Sequence, residues 1–434
     1  MFDILRFIET KRDGGNNGAE DLKVFVRSIM EGSVRDYHVA AWLMAVYLNG
    51  MAEDELLAFT DALANSGEVV SFGRGVKTVD KHSTGGVGDK ATLILVPLVA
   101  ACGLSVAKLS GRGLGFTGGT VDKLESIPGF KVDMTLEEFK SQVEEIGCAV
   151  AGHSPDLAPA EAFFYELRDV TATVPSLPLI CSSIVSKKIA GGADSFVFDV
   201  KYGSGAFMSD LEDAKKLAES LVNLSNKMGH PSSALLTSMD EPLGKWIGNS
   251  MEVLESVEVL KNSGPEDTTE LCLALAGEML LNGGMVTSPE AGVEMARSAL
   301  VEGRGLKKLA ELVVRQGGPA DLVDYPSKYL QPSPLVYELK AQGDGFISSV
   351  NTRFIGEGIR RLGGGRSDKE ESIDPGAALE ITVKIGDKVK TGDVIMKCYS
   401  DDPSSVDYAR EYLDRSWTVD VEAVRPPLIL GRVD

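Results

Sequence analysis

The sequence predicts an α/β protein with three parts: a helical domain, a mixed α/β domain with a mostly parallel sheet, and a C-terminal β-rich α+β domain. Three observations predict it. Helical patterns alternate with short apolar runs between about residues 67 and 330, as expected of βα units in a parallel sheet. The first 66 residues carry helical patterns alone, and from about Val336 the texture changes to short extended stretches broken by Gly-Asp turns. A chain of 434 residues also exceeds what one hydrophobic core supports. The boundaries read as 1–66 with 160–190 for the helical domain, 67–159 with 191–330 for the α/β domain, and 331–434 for the β-rich domain.

Taken in order, Ser33 is a candidate N-cap for a helix over Val34–Asn49 that Gly50 stops, and Glu53–Asn65 reads as a helix ending at Ser66-Gly67. Trp42, Leu43, Val46 and Tyr47 exceed one narrow apolar stripe, so this bundle should pack on two sides, against its own chain or a second subunit. Residues 67–79 look extended. Ala91–Gly103 is apolar almost throughout and reads as a buried helix with Pro97 as a candidate kink; Leu104–Leu109 suits a short buried strand. Gly147–Pro159 interrupts the pattern and reads as a connector. Ala160–Asp169 is helical, Thr173–Pro178 is a turn-rich loop, and Leu179–Ala190 is a helix that Gly191-Gly192 ends before a strand at Ser195–Val200. Ser209-Asp210-Leu211-Glu212 reads as a capping box for a helix to Met228. Helical patterns continue over Asp267–Leu281 and Ser288–Gln316, and extended stretches follow within Leu339–Val350 and Ala378–Ser400. The run Ile385–Ile395 resembles the turn region of biotinyl and lipoyl domains, but no lysine stands at the exposed hairpin a swinging arm needs, so a structural role is the better reading.

The most informative stretch is Asp80–Glu125. Two glycine-rich loops, His82–Asp89 and Ser110–Thr120, flank the apolar helix and strand. Glycine lets backbone N–H groups approach an anion, and a helix amino terminus adds free donors and partial positive charge. Ser83, Ser110 and Thr120 supply hydroxyls and Lys81 an ammonium, among nine glycines in 46 residues, which favours a phosphate cradle over two idle turns. Gly113-Leu114-Gly115-Phe116-Thr117-Gly118 also matches the dinucleotide fingerprint GxGxxG. That scheme leaves the first loop without a role.

Charge narrows the partners. The formal net charge is −20, from 44 basic and 64 acidic residues, which argues against nucleic acid or an anionic membrane. Asp80–Glu125 carries five basic against four acidic residues, so anion binding there rests on local placement. Cys102, Cys148, Cys181, Cys272 and Cys398 form no CxxC or Cys/His cluster and read as buried free thiols in a reducing compartment. The start lacks a signal-peptide pattern and no uncharged stretch reaches membrane-spanning length, so a cytoplasmic protein is expected.

Asp80–Gly129, with SGRGLGFTGGTVDKLE at its centre, resembles the signature region of the thymidine and pyrimidine-nucleoside phosphorylases. The resemblance continues through LRDVTAT (Leu167–Thr173) and SSIVSKK (Ser182–Lys188) to DVKYGSGAF (Asp199–Phe207), and more loosely to both ends. It implies reversible phosphorolysis of pyrimidine nucleosides, uridine and thymidine, to free base and (deoxy)ribose 1-phosphate by a homodimer, with inorganic phosphate as co-substrate and no cofactor. By the same resemblance Lys81, Ser83, Ser110 and Thr120 bind phosphate, with Thr92 as a further hydroxyl, and Arg168, Ser183 and Lys187 bind the base from the helical domain. The chemistry agrees: a pyrimidine presents two carbonyl oxygens flanking an N–H, and fixed cations favour the anionic leaving group over the neutral substrate. Ser183 and Lys187, four apart, share a helix face.

Catalytic roles fall to His82, Arg168 and Lys187, with His82 donating a hydrogen bond or a proton to the departing base, or only positioning it. His38, His153 and His230 lie outside the motifs and read as structural or exposed. Lys108 matches the branch of the family that accepts ribose as well as deoxyribose and is assigned to the sugar. Two positions depart from the family pattern. Phe116 stands where histidine is usual, and Lys90 where many relatives have a small or hydroxyl residue. Many relatives hold a monovalent cation at places that correspond here to Gly88, Lys90, Leu243, Trp246 and Glu255; Lys90 is expected to pair with Glu255 and replace the ion, so no metal is expected, the alternative being a solvent-facing Lys90.

Two rival functions fit the sequence less well. A phosphoribosyltransferase of related fold would use Asp122 and Glu125 for Mg²⁺ and leave Arg168 and Ser183–Lys187 unexplained. A non-catalytic nucleoside-binding protein would not need the complete set of phosphate and base ligands. The connectors Ser66–Glu68, Gly152–Pro159 and Gly191-Gly192 are candidate hinges, and an open cleft is expected without ligand.

Overall fold

The computed structural model describes every residue except Met1, Leu114, Thr117, Ser367, Lys369 and Glu370. Four helices open the chain: α1 (Ile4–Arg12), α2 (Ala19–Met30), α3 (Asp36–Asn49) and α4 (Glu53–Ala64). Their core is aromatic. Trp42 is fully buried, with ring centroids 5.1 Å from Phe25 and 5.1 Å from Phe59. Buried Glu55 ties the bundle together, accepting from Lys11 Nζ (2.7 Å), the Asn17 N–H (2.6 Å) and the Ala52 N–H (2.8 Å). Ser33 does not cap α3, which starts after Arg35; its hydroxyl donates to the Ser28 carbonyl and closes the end of α2 instead.

The alternating region begins with β1 (Thr78–Ser83), α5 (Ala91–Ala101), β2 (Ser105–Ser110), α6 (Thr120–Glu125), α7 (Leu136–Ile146) and β3 (Cys148–Gly152). Next come α8 (Pro159–Val170) and α9 (Leu177–Ala190), whose Phe164 and Leu179 join the core of the first four helices. The chain then returns to β4 (Ser195–Tyr202), α10 (Leu211–Lys227), β5 (Ser232–Ser238) and β6 (Trp246–Ile247), followed by α11 (Asn249–Leu260), α12 (Glu266–Asn282), α13 (Pro289–Val301) and α14 (Arg304–Arg315). The sheet runs β5-β4-β1-β2-β3 in parallel. Both faces are covered, as a parallel sheet requires. Along β4, Phe196, Phe198 and Val200 enter the core beneath α9 and α10, whereas Val197 enters the core beneath α5 and α12.

Several local expectations change. The stretch read as a connector contains β3, a strand of small residues whose pairing with β2 sets the sheet edge. β1 absorbs His82 and Ser83, so the first loop starts at Thr84. The α10 cap is Asp210, which accepts from the Glu212 and Asp213 N–H groups, rather than Ser209. Gly303, at φ 69°, splits the long pattern over Ser288–Gln316 into α13 and α14.

The last region holds β7 (Leu335–Lys340), β8 (Gly345–Val350), α15 (Thr352–Ile359), β9 (Ala378–Ile381), β10 (Lys388–Val389), β11 (Val394–Tyr399), α16 (Ser405–Leu413), β12 (Trp417–Asp420) and β13 (Ile429–Val433). Its sheets are antiparallel, β10-β8-β12 and β6-β9-β11-β7. Strands cross between regions: β6, early in sequence, joins β9, and β13 leaves to pair antiparallel with β5 at the edge of the large sheet.

Candidate active site

The carboxyl ends of the parallel strands deliver the site. β1 ends at Ser83 and the chain turns through Thr84–Asp89 into α5; Ser83 Oγ accepts from the Gly85 N–H at 3.1 Å, and Asp89 Oδ1 accepts from the Ala91 N–H at 3.1 Å. Gly88 has φ 77°, and a β-carbon there would lie 2.6 Å from the Leu243 carbonyl oxygen, so only glycine fits. Asp89 is held well below the usual carboxylate range: burial opposes the charge, but Lys81, Lys201 and Lys123 outweigh it. The second loop leaves β2 at Ser110 and enters α6 at Thr120; Leu114 and Thr117 of its GxGxxG match lie outside the described residues. Asp122 Oδ2 accepts from the Gly113 N–H at 2.6 Å, and Lys123 reaches the Asp89 carbonyl at 2.5 Å, joining the two loops.

One cavity of about 450 Å³ collects the motif residues. His82, Ser83, Thr92, Lys108, Ser110 and Thr120 line it together with Arg168, Ser183 and Lys187. Lys81 is not among its lining residues. Neighbouring strand residues point to opposite faces, so Lys81 turns away from His82 and buries its ammonium 3.0 Å from Asp199 and 3.7 Å from Asp89.

The base-side residues are held from behind. The Arg168 guanidinium donates to the Leu179 carbonyl (2.9 Å) and the Val174 carbonyl (2.7 Å), which fixes its plane at the α8–α9 junction. Lys187 Nζ lies 3.0 Å from Glu161, 3.3 Å from Ser183 Oγ and 5.3 Å from the Tyr165 ring centre. Ser183 Oγ also donates to Glu161, which is almost fully buried. Glu161 was not legible as a site residue; its only signal is its place seven residues before Arg168, the same helix face two turns on. Asp80 pairs with Lys108 at 3.1 Å and Lys188 at 2.5 Å, and Lys108 also donates to the Lys81 carbonyl at 2.6 Å.

This crowding sets the protonation states. Burial, then Lys188, Lys108, Lys187 and Lys81, push His82 well below its ordinary value, so at neutral pH the ring is uncharged and carries no imidazolium proton. Burial lowers Lys108 to about 7, with Lys188 and Lys81 adding like-charge repulsion against the pull of Asp80. His153, read from sequence as structural or exposed, lines the cavity and is lowered to about 3 by burial and by Lys187, Lys188 and Lys108. It follows β3, whose small residues carry no strand period, so the sequence does not show where it is delivered.

Lys90 caps α5 and is fully buried. Its ammonium donates to Glu255 at 2.5 Å, to the Leu243 carbonyl at 2.9 Å and to the Trp246 carbonyl at 2.8 Å. Burial opposes this charge, but Glu255 and Glu252 raise its pKa above the ordinary value. Three donors meet three acceptors, so the residues present do not fit a monovalent metal cation. A larger cavity of about 730 Å³ lies between residues 238–245 and 425–429; it contains none of the motif residues, and its Lys384–Asp267 and Arg425–Asp387 pairs satisfy one another.

Comparison with known proteins agrees with this geometry. Residues 75–306 match the a/b domain of a glycosyl transferase family, residues 5–67 its helical bundle domain, and residues 346–420 the pyrimidine nucleoside phosphorylase C-terminal domain. The chain is 44% identical over 429 residues to a pyrimidine-nucleoside phosphorylase of Geobacillus stearothermophilus, covering 98% of each. It is 43% identical to that of Staphylococcus haemolyticus, covering 99% of this chain and 98% of the relative. The crystal structure of anthranilate phosphoribosyltransferase from Thermus thermophilus superposes with a TM-score of 0.58 at 19% identity, covering 71% of this chain and 98% of that one, a likeness of fold alone. The full-length identity and the matched C-terminal domain together establish that the chain belongs to the pyrimidine-nucleoside phosphorylase family of glycosyl transferases.

Proposed function

We propose that this chain catalyses the reversible phosphorolysis of pyrimidine nucleosides, uridine and thymidine, to the free base and ribose or deoxyribose 1-phosphate, with inorganic phosphate as co-substrate and no further cofactor. One observation carries the reading: the glycine-loop hydroxyls and the trio Arg168, Ser183 and Lys187 share a single cavity. Phosphate takes hydrogen bonds from Ser83, Thr92, Ser110 and Thr120 and from the amino end of α5, while Lys81 contributes charge from behind β1. The base rests against Arg168, Ser183 and Lys187. A phosphate oxygen attacks the anomeric carbon as the bond to the base nitrogen breaks, and the electron pair leaves with the base. Arg168 and Lys187 stabilise that charge more in the transition state than in the neutral substrate, and neutral His82 donates to a base carbonyl. Each charge-assisted hydrogen bond contributes about 1.5–3 kcal/mol. Lys108 donates to the ribose 2′-hydroxyl, and Lys90 acts as a built-in cation in place of a metal.

Leu5, Tyr37 and Leu48, exposed on α1 and α3, support a homodimer formed through the helical domain. The five free thiols support a reducing, cytoplasmic setting. Among the described residues, no helix is long and apolar enough to cross a membrane. Uridine and phosphate mixed with the protein should yield uracil and ribose 1-phosphate together, and omitting phosphate should abolish both. Uracil release independent of phosphate, or turnover only of 5-phosphoribosyl 1-diphosphate with Mg²⁺, refutes the reading.

A further inference from the structure

Phe116 is the motif residue to which the proposed chemistry gives no role. Its surroundings belong to the last region of the chain. The Arg353 guanidinium lies 5.2 Å from its ring centre, and the ring packs against the apolar core of that region, to which α15 contributes Ile355 and Ile359. Gly356, inside α15, has no room for a side chain: an added β-carbon would collide with the Phe116 carbonyl oxygen and lie 3.0 Å from Val87 Cγ2. Val87 belongs to the first glycine loop and Phe116 to the second, so a single turn of α15 touches both. Further contacts tie the same region to the cavity. The Gly115 N–H donates to the Arg366 carbonyl at 3.3 Å, and the Arg366 guanidinium reaches Asp122, the acceptor for the Gly113 N–H, at 2.5 Å. At the start of α15 the Thr352 N–H donates to Ser204 Oγ at 3.0 Å, and Ser204 Oγ donates to the Val350 carbonyl at 3.1 Å, which anchors the segment leading to Phe207 on the cavity wall.

We propose that α15 is the template that sets the spacing of the two glycine loops, with Gly356 and Phe116 as positioning residues for phosphate. Glycine-rich loops have little stiffness of their own, while ligand hydroxyls and N–H groups must be placed to a fraction of an ångström for chemistry to proceed. The rigid surface of α15 supplies what the loops lack. This inference rests on the phosphate-binding reading of those loops and adds to it that the C-terminal region governs phosphate affinity.

The test uses the full-length protein. Gly356→Ala favours the helix and pushes on both loops; Phe116→Ala removes the docked ring. Each should raise the phosphate KM about tenfold while moving the nucleoside KM less than about twofold. The double variant should be no worse than the poorer single one, because both act through one contact. Phe116→Leu, which keeps an apolar side chain, should recover most of the loss, and trypsin cleavage after Arg112 should be faster in Gly356→Ala than in the parent. Folded Gly356→Ala protein with an unchanged phosphate KM and unchanged cleavage overturns the proposal, as does an equal rise in both KM values. A parent protein that releases no base with phosphate refutes the phosphorolysis reading instead, and the cleavage comparison then still decides whether α15 holds the loops.

Discussion

Lys108 lies where burial, Asp80 and two like charges compete, and its pKa falls from 10.5 to about 7. As pH rises through that value the ammonium loses its proton and the proposed sugar site loses a cation. The ratio of kcat/KM for uridine to that for thymidine is therefore expected to fall above pH 7 and to become flat in Lys108→Met; a flat ratio in the parent removes Lys108 from sugar selection. The unfolded chain binds the extra proton between about 7 and 10.5, so this residue makes the fold more stable as pH rises across that window. Lys90 makes a different prediction. Lys90→Ala leaves Glu255 buried with only the Lys245 N–H at 2.8 Å and the Trp246 N–H at 3.3 Å, and losing one partner of a buried ion pair costs about 3–5 kcal/mol. A fall of that size in denaturant stability is expected. Activity of the parent should not change when potassium is exchanged for tetramethylammonium, whereas Lys90→Thr should gain a potassium requirement.

The unit that orders the site is β1, the first glycine loop and α5. Strand alternation sends Lys81 to one face and His82 to the other, and Gly88 then turns the chain onto the helix. Gly88→Ala puts a side chain into the left-handed region and against the Leu243 carbonyl, at a cost of about 1–3 kcal/mol. Thermal denaturation should register that loss, and the phosphate KM should rise with it; an unchanged KM separates the loop from phosphate. Elements with strong local signals are readable in the sequence, α5 by its apolar run and α10 by its apolar face, whereas the capping box of Thr135 with Glu138 that starts α7 emerges only in the structure. β3 was not readable, because five small residues after Gly147 carry no period, and its strand character comes from lying beside β2.

The three candidate hinges meet in one seam. The Glu68 N–H donates to the Asp156 carbonyl at 2.9 Å, the Val70 N–H donates to the Ala190 carbonyl at 2.8 Å, and a β-carbon on Gly192, at φ 78°, would lie 2.5 Å from the Val70 carbonyl oxygen. A rotation about this seam moves Arg168 and Lys187 relative to the glycine loops. Phosphate and uracil together should therefore reduce the radius of gyration in X-ray scattering, and Gly192→Ala should blunt the change and lower kcat. Identical scattering with and without both ligands rules the hinge out. Strand exchange ties the other boundary more firmly: β6 and β13 each pair across it, so the C-terminal region should unfold together with the large sheet in one denaturation transition.

The features legible in the sequence are local: the helical and extended periods, the glycine loops with their hydroxyls, and the motifs that identify the family, because each is carried by residues within a turn or a loop of one another. The tertiary structure alone decided which groups meet. It placed Lys81 behind its strand and His153 in the cavity, put Glu161 beneath Ser183 and Lys187, and joined Phe116 to α15. Such contacts depend on strand order and helix packing, which bring together groups as far apart in sequence as Lys90 and Glu255, separated by 165 residues. Only the resemblance to relatives already folded this way made that pair legible beforehand; composition and period carry no trace of it, since neither records which distant segments become neighbours.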